Sequence, residues 1–318
     1  MSESEIPIDR QSISDVNWNV DTVVSRLKKI REQSQLARQR IGHSAKLPSR
    51  KKLASIVERI GTALFPVRLS FREFPNGNVD YFVGHTLDET LSELADEVER
   101  ELCFFAAAGQ TDFTAERREA VRIVRGFAER LPAIRVLLES DIQAAYEGDP
   151  AARSSDEVLA CYPGVMAMMH HRLAHELYLL NVSLVARIIA EVAHSLTGID
   201  IHPGAQIQEE FFIDHGTGVV IGETAVIGKR VRIYQAVTLG AKSFPSGDDG
   251  VLIKGSPRHP VVEDNVVIYA GATILGRITI GKGSVIGGNV WLTTGVPPGS
   301  QISQAKLRSE IYDSGSGI

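Results

Sequence analysis

Residues 219–240 read VVIGETAVIGKRVRIYQAVTLG, with an aliphatic residue at every sixth place: Ile221, Ile227, Ile233 and Leu239. Upstream the same comb holds Ile201, Ile207 and Ile213, separated from Ile221 by a slip of two residues. Downstream it breaks for a Gly/Ser/Pro/Asp-rich segment and resumes through Val262, Ile268, Ile274, Ile280, Ile286 and Leu292. Two places before most teeth sits a small or β-branched residue, as at Ala205, Val219, Ala225, Val231, Val237, Val266, Ala272, Ser284 and Val290. Glycine follows the tooth directly at Gly222, Gly228, Gly240, Gly281 and Gly287.

A period of six is neither the helix's 3.6 nor a simple strand alternation. It is the pattern of a parallel β-helix made of hexapeptides, three short strands to each triangular coil. Each tooth stacks on its counterpart one coil away, so no coil is stable alone and the array folds as a solenoid. The glycines are expected at the corners, where φ leaves the range comfortable for a side chain. The fold class is therefore α+β: an N-terminal all-helical domain over residues 1–198, then a left-handed β-helix over 199–300. A loop insertion covers 241–257, residues 1–16 are expected to be disordered, and 301–318 form a polar flexible tail.

The chain has 318 residues, 43% hydrophobic and 23% charged, enough apolar residue for sizeable cores. A net charge of −5 argues against nucleic acid as the main partner. Cys103 and Cys161 are too few for a disulfide framework and point to a reducing compartment. The first ten residues lack the basic and apolar regions of a signal peptide, and no apolar run reaches a membrane span of roughly 18 residues. A cytoplasmic location with no membrane contact is expected.

The N-terminal half reads as helices. Asp21 is placed to cap a helix with Val23, Leu27 and Ile30 on one stripe, its basic residues on a solvated face. Ser49 opens a second helix carrying Leu53, Ile56, Val57 and Ile60, stopped at Pro66. Phe71 to Phe82 reads as a turn or short hairpin around Pro75-Asn76-Gly77. Thr86 and Glu89 have the spacing of a capping box. Asp112 to Leu138 is helical with an interruption at Pro132, and Ser154 opens a short helix ending near Pro163. Two apolar helices follow, Val165 to Leu180 and Val182 to Leu196, broken at Asn181 and closed by Gly198. Their apolarity predicts contacts between subunits.

The residues around the comb carry more than a fold. Gly148-Asp149-Pro150-Ala151, Gly198-Ile199-Asp200-Ile201-His202-Pro203, Ile213-Asp214-His215-Gly216-Thr217-Gly218, Gly222-Glu223-Thr224-Ala225-Val226-Ile227, Gln235-Ala236-Val237-Thr238-Leu239-Gly240 and Arg258-His259-Pro260 together resemble serine O-acetyltransferase. That hexapeptide-repeat family acetylates L-serine from acetyl-CoA, the first step of cysteine synthesis. The resemblance covers roughly residues 145–300.

Moving an acetyl group from a thioester to an alcohol needs a base for the hydroxyl proton. Histidine, with an unperturbed pKa of about 6.5, suits the task, best when a carboxylate fixes its tautomer. His215 stands at the two-residue slip, and Asp200 lies about one coil before it. The resemblance implies His215 as base and Asp200 as its orienting carboxylate. Serine's ammonium and carboxylate call for acids and for an arginine fork. By resemblance Asp149 and Asp214 hold the ammonium, Arg258 the carboxylate, and His259 completes the pocket, with Glu223 supporting it. Read alone, Asp149 before Pro150 is an ordinary turn residue, and Glu223 an ordinary corner carboxylate.

The resemblance further implies acetyl-CoA along the coil edge at Gly240, Ala241, Ala270 and Gly288, small residues that hexapeptide corners also favour. No metal is expected. It implies a homotrimer or dimer of trimers with the site between subunits, and L-cysteine as inhibitor. It also implies docking of O-acetylserine sulfhydrylase through the C-terminal Ile318, against an idle tail. Where the family reads Leu-Gly-Gly, this chain has Leu239-Gly240-Ala241, and the 241–257 loop is longer than the common form. These departures keep open another small hydroxyl acceptor. A scaffold docking the sulfhydrylase and a zinc carbonic anhydrase using His202, His215 and His259 are further readings of the same solenoid. His170, His171 and His175 crowd one helix and read as structural.

Overall fold

The structure, a computed structural model, describes residues 18–40, 46–71, 73–74, 78–106, 112–243 and 255–304. The expected disorder of residues 1–16, most of the long loop and Ile318 lie outside the described residues. The helices are α1 Val20–Arg40, α2 Arg50–Leu64, α3 Pro66–Leu69, α4 Val79–Phe105, α5 Thr114–Gly148, α6 Ser155–Cys161, α7 Pro163–Leu179 and α8 Ser183–Thr197. Ser49 and Ser154 cap as expected, accepting the N–H groups of Lys52 and Glu157. Asn181 and Gly198 adopt left-handed backbone at φ 64° and 71°, turning the chain out of α7 and α8.

Several helix boundaries differ from the sequence reading. Asp21 lies inside the first turn of α1 and does not cap it. Its stripe of Val23, Leu27 and Ile30 is exposed in the single chain. Pro66 ends α2 only by opening α3, where its missing N–H has no helical partner to lose. Tyr81 and Phe82 belong to α4, so they form no hairpin strand, and residues 75–77 lie outside the described ones. The Thr86–Glu89 box is not used, because Val79 starts the helix seven residues earlier and buries Thr86 in its interior. The helix continues past Pro132 to Gly148, since Leu131, Ile134 and Leu138 on either side are all held in the helical core.

The solenoid begins where α8 ends. Its first face stacks Asp200–Ile201, Val220–Ile221, Thr238–Gly240, Thr273–Leu275 and Trp291–Leu292, all parallel. The second stacks Gln206–Ile207, Val226–Ile227, Val261–Val262 and Thr279–Ile280, and the third Phe212–Ile213, Arg232–Ile233, Val267–Ile268, Val285–Ile286 and Gln301–Ile302. This is the left-handed parallel β-helix of the sequence reading. Every tooth from Ile201 to Leu292 is buried, and so are Ala205, Val219, Ala225, Val231, Val237, Val266, Ala272, Ser284 and Val290 two places before their teeth. At about 0.8 kcal/mol per buried methylene, this repeated stack is the main source of the solenoid's stability.

The corner glycines act differently from the expectation. Gly222, Gly228, Gly240, Gly281 and Gly287 do not have positive φ. They are glycine because the next coil or loop passes too close: a Cβ on Gly222 would stand 2.0 Å from the His259 ring, and one on Gly281 2.3 Å from Pro298 N. The left-handed residue comes three places after the tooth, at Glu210, Arg230, Ala236, Asn265, Gly271, Gly283 and Asn289.

Much of the apolarity of α7 and α8 packs within the chain, while Met166, Leu179 and Leu196 stay exposed on these helices. Ala167 and Met168 of α7 belong to the solenoid core, while Val165, Met169 and Leu173 of α7 and Val185, Ala186 and Ile189 of α8 belong to the helical core, which also takes in Phe212 from the first coil. The junction is fastened by a buried ion pair. Arg172 of α7 donates to both carboxylate oxygens of Asp141 on α5, at 2.6 and 2.8 Å. Its guanidinium also reaches the carbonyls of Ile207 (3.2 Å) and Gln208 (3.0 Å), and Asp141 accepts the Phe211 N–H at 3.0 Å. Asp141→Leu should therefore destabilise the protein by about 3–5 kcal/mol by leaving a buried guanidinium uncompensated, and adding Arg172→Met should recover part of the loss. Urea unfolding of the two variants measures both.

Candidate active site

The slip in the comb becomes a corner with two extra residues. Asp200 pairs with Val220, twenty residues on, whereas Val220 pairs with Thr238, eighteen on. The surplus is taken up between the third and first faces by Asp214, His215 (φ 59°), Gly216 (φ 83°) and Gly218 (φ 79°). A non-glycine residue in left-handed backbone is uncommon. The His215 side chain is 71% exposed while that of Asp214 is 11% exposed, and His215 Nε2 stands 3.8 Å from Asp214 Oδ1.

Asp149 joins this corner from the C-cap of α5. Its carboxylate accepts the Tyr162 hydroxyl and, at 2.8 Å, the Ala151 N–H. The Tyr162 bond, followed by the Ala151 N–H, holds the Asp149 carboxyl below its usual range, and the same bond pushes the Tyr162 phenol up to about 12. Two carboxylates, Asp149 and Asp214, thus belong to this corner within one chain.

Arg258 and His259 lie elsewhere. They close the corner between the first and second faces, where the long loop returns: Val226 pairs with Val261, thirty-five residues on. Arg258 Nη2 donates to Glu223 Oε2 at 2.6 Å, and the Tyr178 hydroxyl donates to Oε1 at 3.0 Å. Burial pushes the Glu223 carboxyl up, but these bonds outweigh it and the net shift is downward. Thr224 Oγ1 accepts the N–H groups of Arg258 (2.9 Å) and His259 (3.1 Å), and the Thr224 N–H donates to His259 Nδ1 at 3.0 Å. Burial, reinforced by Arg258, lowers His259 to about 4. Near neutral pH the ring is neutral with Nδ1 as acceptor, which leaves its proton on Nε2. His202 is lowered to about 4 by burial, then by Arg187, with its Nδ1 accepting from Gly204 N at 2.9 Å.

The first face separates the two clusters, so one chain holds the Asp149–Asp214–His215 group at one corner and the Arg258–His259 group at another. The residues expected to line the cofactor divide the same way. Ala270 and Gly288 stack below His215, with Asn289 N–H donating to Ala270 O at 2.9 Å and a Cβ on Gly288 reaching Ala270 O at 3.2 Å. Gly240 and Ala241 leave the first face toward the Arg258 corner. Asp200 makes no hydrogen bond or ion pair with His215 among the described residues; its carboxylate lies within 4.8 Å of donor atoms on Glu191 and His194. His202 and His259 share a corner while His215 stands across the face, so one chain does not bring the three histidines together.

His170 and His175 bond the carbonyls of Met166 (2.9 Å) and Pro203 (2.7 Å), as structural residues do. Tyr162, Tyr178, Thr224 and Arg232, which touch the site residues directly, were invisible to sequence reasoning. Only their outward positions beside buried teeth or on the inner turn of a helix could have drawn attention to them.

Residues 259–294 match the family described as bacterial transferase hexapeptide (six repeats). The chain is 54% identical over 311 residues to the "Serine acetyltransferase, plasmid" of Synechococcus elongatus, spanning 95% of this chain and 96% of that one. Among solved structures, serine acetyltransferase isoform 3 of Entamoeba histolytica in complex with cysteine is 37% identical, with a TM-score of 0.69 over 81% of this chain and 84% of that chain. A serine acetyltransferase in complex with CoA is 28% identical, with a TM-score of 0.50 over 78% and 95%.

The buried histidines give a pH test. The folded chain holds His259 and His202 at about 4, below the roughly 6.5 of an unfolded histidine. Between those values the unfolded state binds more protons, so their contribution is intact above about 6.5 and is lost as pH falls toward 4. The urea midpoint should drop across that window, and His259→Asn should make the drop shallower.

Proposed function

Because the chain belongs to the serine acetyltransferase family and transfers acetyl from acetyl-CoA to the hydroxyl of L-serine, we propose that His215 is the general base of that reaction. The carrying observation is the bulged corner, which turns an exposed imidazole outward beside a largely buried Asp214. His215 takes the proton of the serine hydroxyl as its oxygen attacks the thioester carbonyl. Collapse of the tetrahedral adduct breaks the C–S bond, and the imidazolium returns the proton to the departing thiolate of CoA. O-acetyl-L-serine and CoA leave.

In this reading Asp149 and Asp214 take the serine ammonium, while Arg258, steered by Glu223, takes its carboxylate. His259 Nε2–H is a further donor to that carboxylate. Asp200 orients His215 by family resemblance. The separation of the acidic and basic clusters by a whole face favours a site shared between copies: the His215 corner of one chain meets the Arg258 corner of a neighbour, as in a cyclic trimer or dimer of trimers. Acetyl-CoA then lies between Ala270 and Gly288 of one copy and Gly240 and Ala241 of the next. The matching division of both residue sets supports this arrangement.

L-cysteine fits the same pocket, having serine's ammonium and carboxylate with a thiol for the hydroxyl, and a cysteine-bound relative supports its role as inhibitor. Docking of O-acetylserine sulfhydrylase by Ile318 rests on family resemblance alone. No helix among the described residues is long and apolar enough to cross a membrane. We place the enzyme in the cytoplasm on its two free cysteines.

Free-thiol release from acetyl-CoA with a panel of hydroxyl acceptors tests the reading: L-serine should be preferred, and His215→Ala should abolish release. Preference for another acceptor would overturn the pocket assignment. Sharing of the site is tested by mixing subunits. His215→Ala and Arg258→Ala should each be inactive alone, yet randomly mixed assemblies should regain about a quarter of wild-type activity, because one shared site in four pairs two intact corners. No recovery from verified mixed assemblies would place both corners of a site in one chain.

A further inference from the structure

The acidic half of the pocket contains a cation whose presence there needs explaining. Arg232 projects outward beside the buried tooth Ile233 on the third face. Its Nη1 donates to the Gly148 carbonyl at 2.6 Å, the last residue of α5 and the neighbour of Asp149. Its Nη2 donates to Asp214 Oδ2 at 3.0 Å. The guanidinium lies over the rings of Phe212 and Tyr234, at 4.9 and 4.8 Å from their centroids. Its Nε is buried and has no partner among the described residues.

A positive charge beside two carboxylates that await an ammonium competes with the substrate. By charge alone it weakens binding. Its geometry has a compensating use, because Asp149 and Asp214 come from different parts of the fold, a helix end and a solenoid corner, with like charges that repel. The planar fork spans this seam, with one arm on the backbone that carries Asp149 and the other on the carboxylate of Asp214. Only Oδ2 of Asp214 is taken up; Oδ1 remains beside His215.

We propose that Arg232 is a positioning residue for amino-acid recognition, a strut that fixes the spacing of Asp149 and Asp214 so that both reach one ammonium. The inference rests on the assignment of those two carboxylates to the ammonium. It concerns binding, not the acyl-transfer step, since Arg232 touches neither His215 nor the donor edge.

The test is steady-state kinetics of the full-length enzyme. Arg232→Met should raise KM for L-serine by about tenfold, the effect of one misplaced charge-assisted hydrogen bond, with kcat and KM for acetyl-CoA within about twofold of wild type. The inhibition constant of L-cysteine should rise in parallel. Arg232→Lys keeps the charge but cannot span both acceptors, so it should resemble Met. Restoration by lysine, or an unchanged or lowered serine KM in Arg232→Met, overturns the strut. Rises in both substrate KM values with a lower thermal midpoint also overturn it, as general loosening. Asp214→Asn separates the premise from the inference. If that variant leaves serine KM unchanged, the ammonium assignment fails and the strut with it. If it raises serine KM while Arg232→Met does not, the strut alone fails.

Discussion

The buried pair of Asp141 and Arg172 is the constraint on which the rest of the structure depends. A guanidinium taken out of water is tolerable only when its donors are satisfied, and here the acceptors come from α5 and from the first coil of the solenoid. The pair therefore fixes the helical half and the β-helix at one separation. Asp141 lies on α5 and Asp149 caps its C-terminus about two turns on, so the clamp that sets the junction also sets where Asp149 can be. The position of Asp149 relative to Asp214 follows from packing at a distance from either residue.

The solenoid imposes the second constraint. Its faces are flat stacks of very short strands, so side chains at different corners of the triangle cannot converge. In the proposed reading, the acid cluster and base of one copy meet the carboxylate receptor of another, which ties the number of active sites to the number of interfaces.

The comb was legible because burial admits one aliphatic residue per strand at a fixed interval, and nothing else in the sequence competes with that pattern. Its two irregularities were legible for the same reason, and they led to His215 and to Arg258 and His259. What the sequence hid was of two kinds. Helix signals at Thr86 and Pro132 were misjudged because tertiary burial overrode local capping and breaking, while Asp21 falls one residue inside the start of α1, whose apolar stripe is exposed. The partners Tyr162, Tyr178, Thr224 and Arg232 were missed because each acts on a residue that is near in space but distant in sequence, and none has a residue type that stands out. The tooth-following glycines were read as conformational when they are steric, a distinction only the neighbouring coil reveals.

The column beneath His215 acts as a ruler. Backbone bonds link the Thr217, Gln235–Ala236, Ala270–Gly271 and Asn289 levels in succession, and each step along a parallel stack is about 4.8 Å. The reach from His215 to the Gly288 turn is therefore three steps, about 14 Å. In the proposed reading, a donor whose thioester meets His215 while its arm lies along this edge is gauged by a count of coils, a quantity that changes only in whole increments.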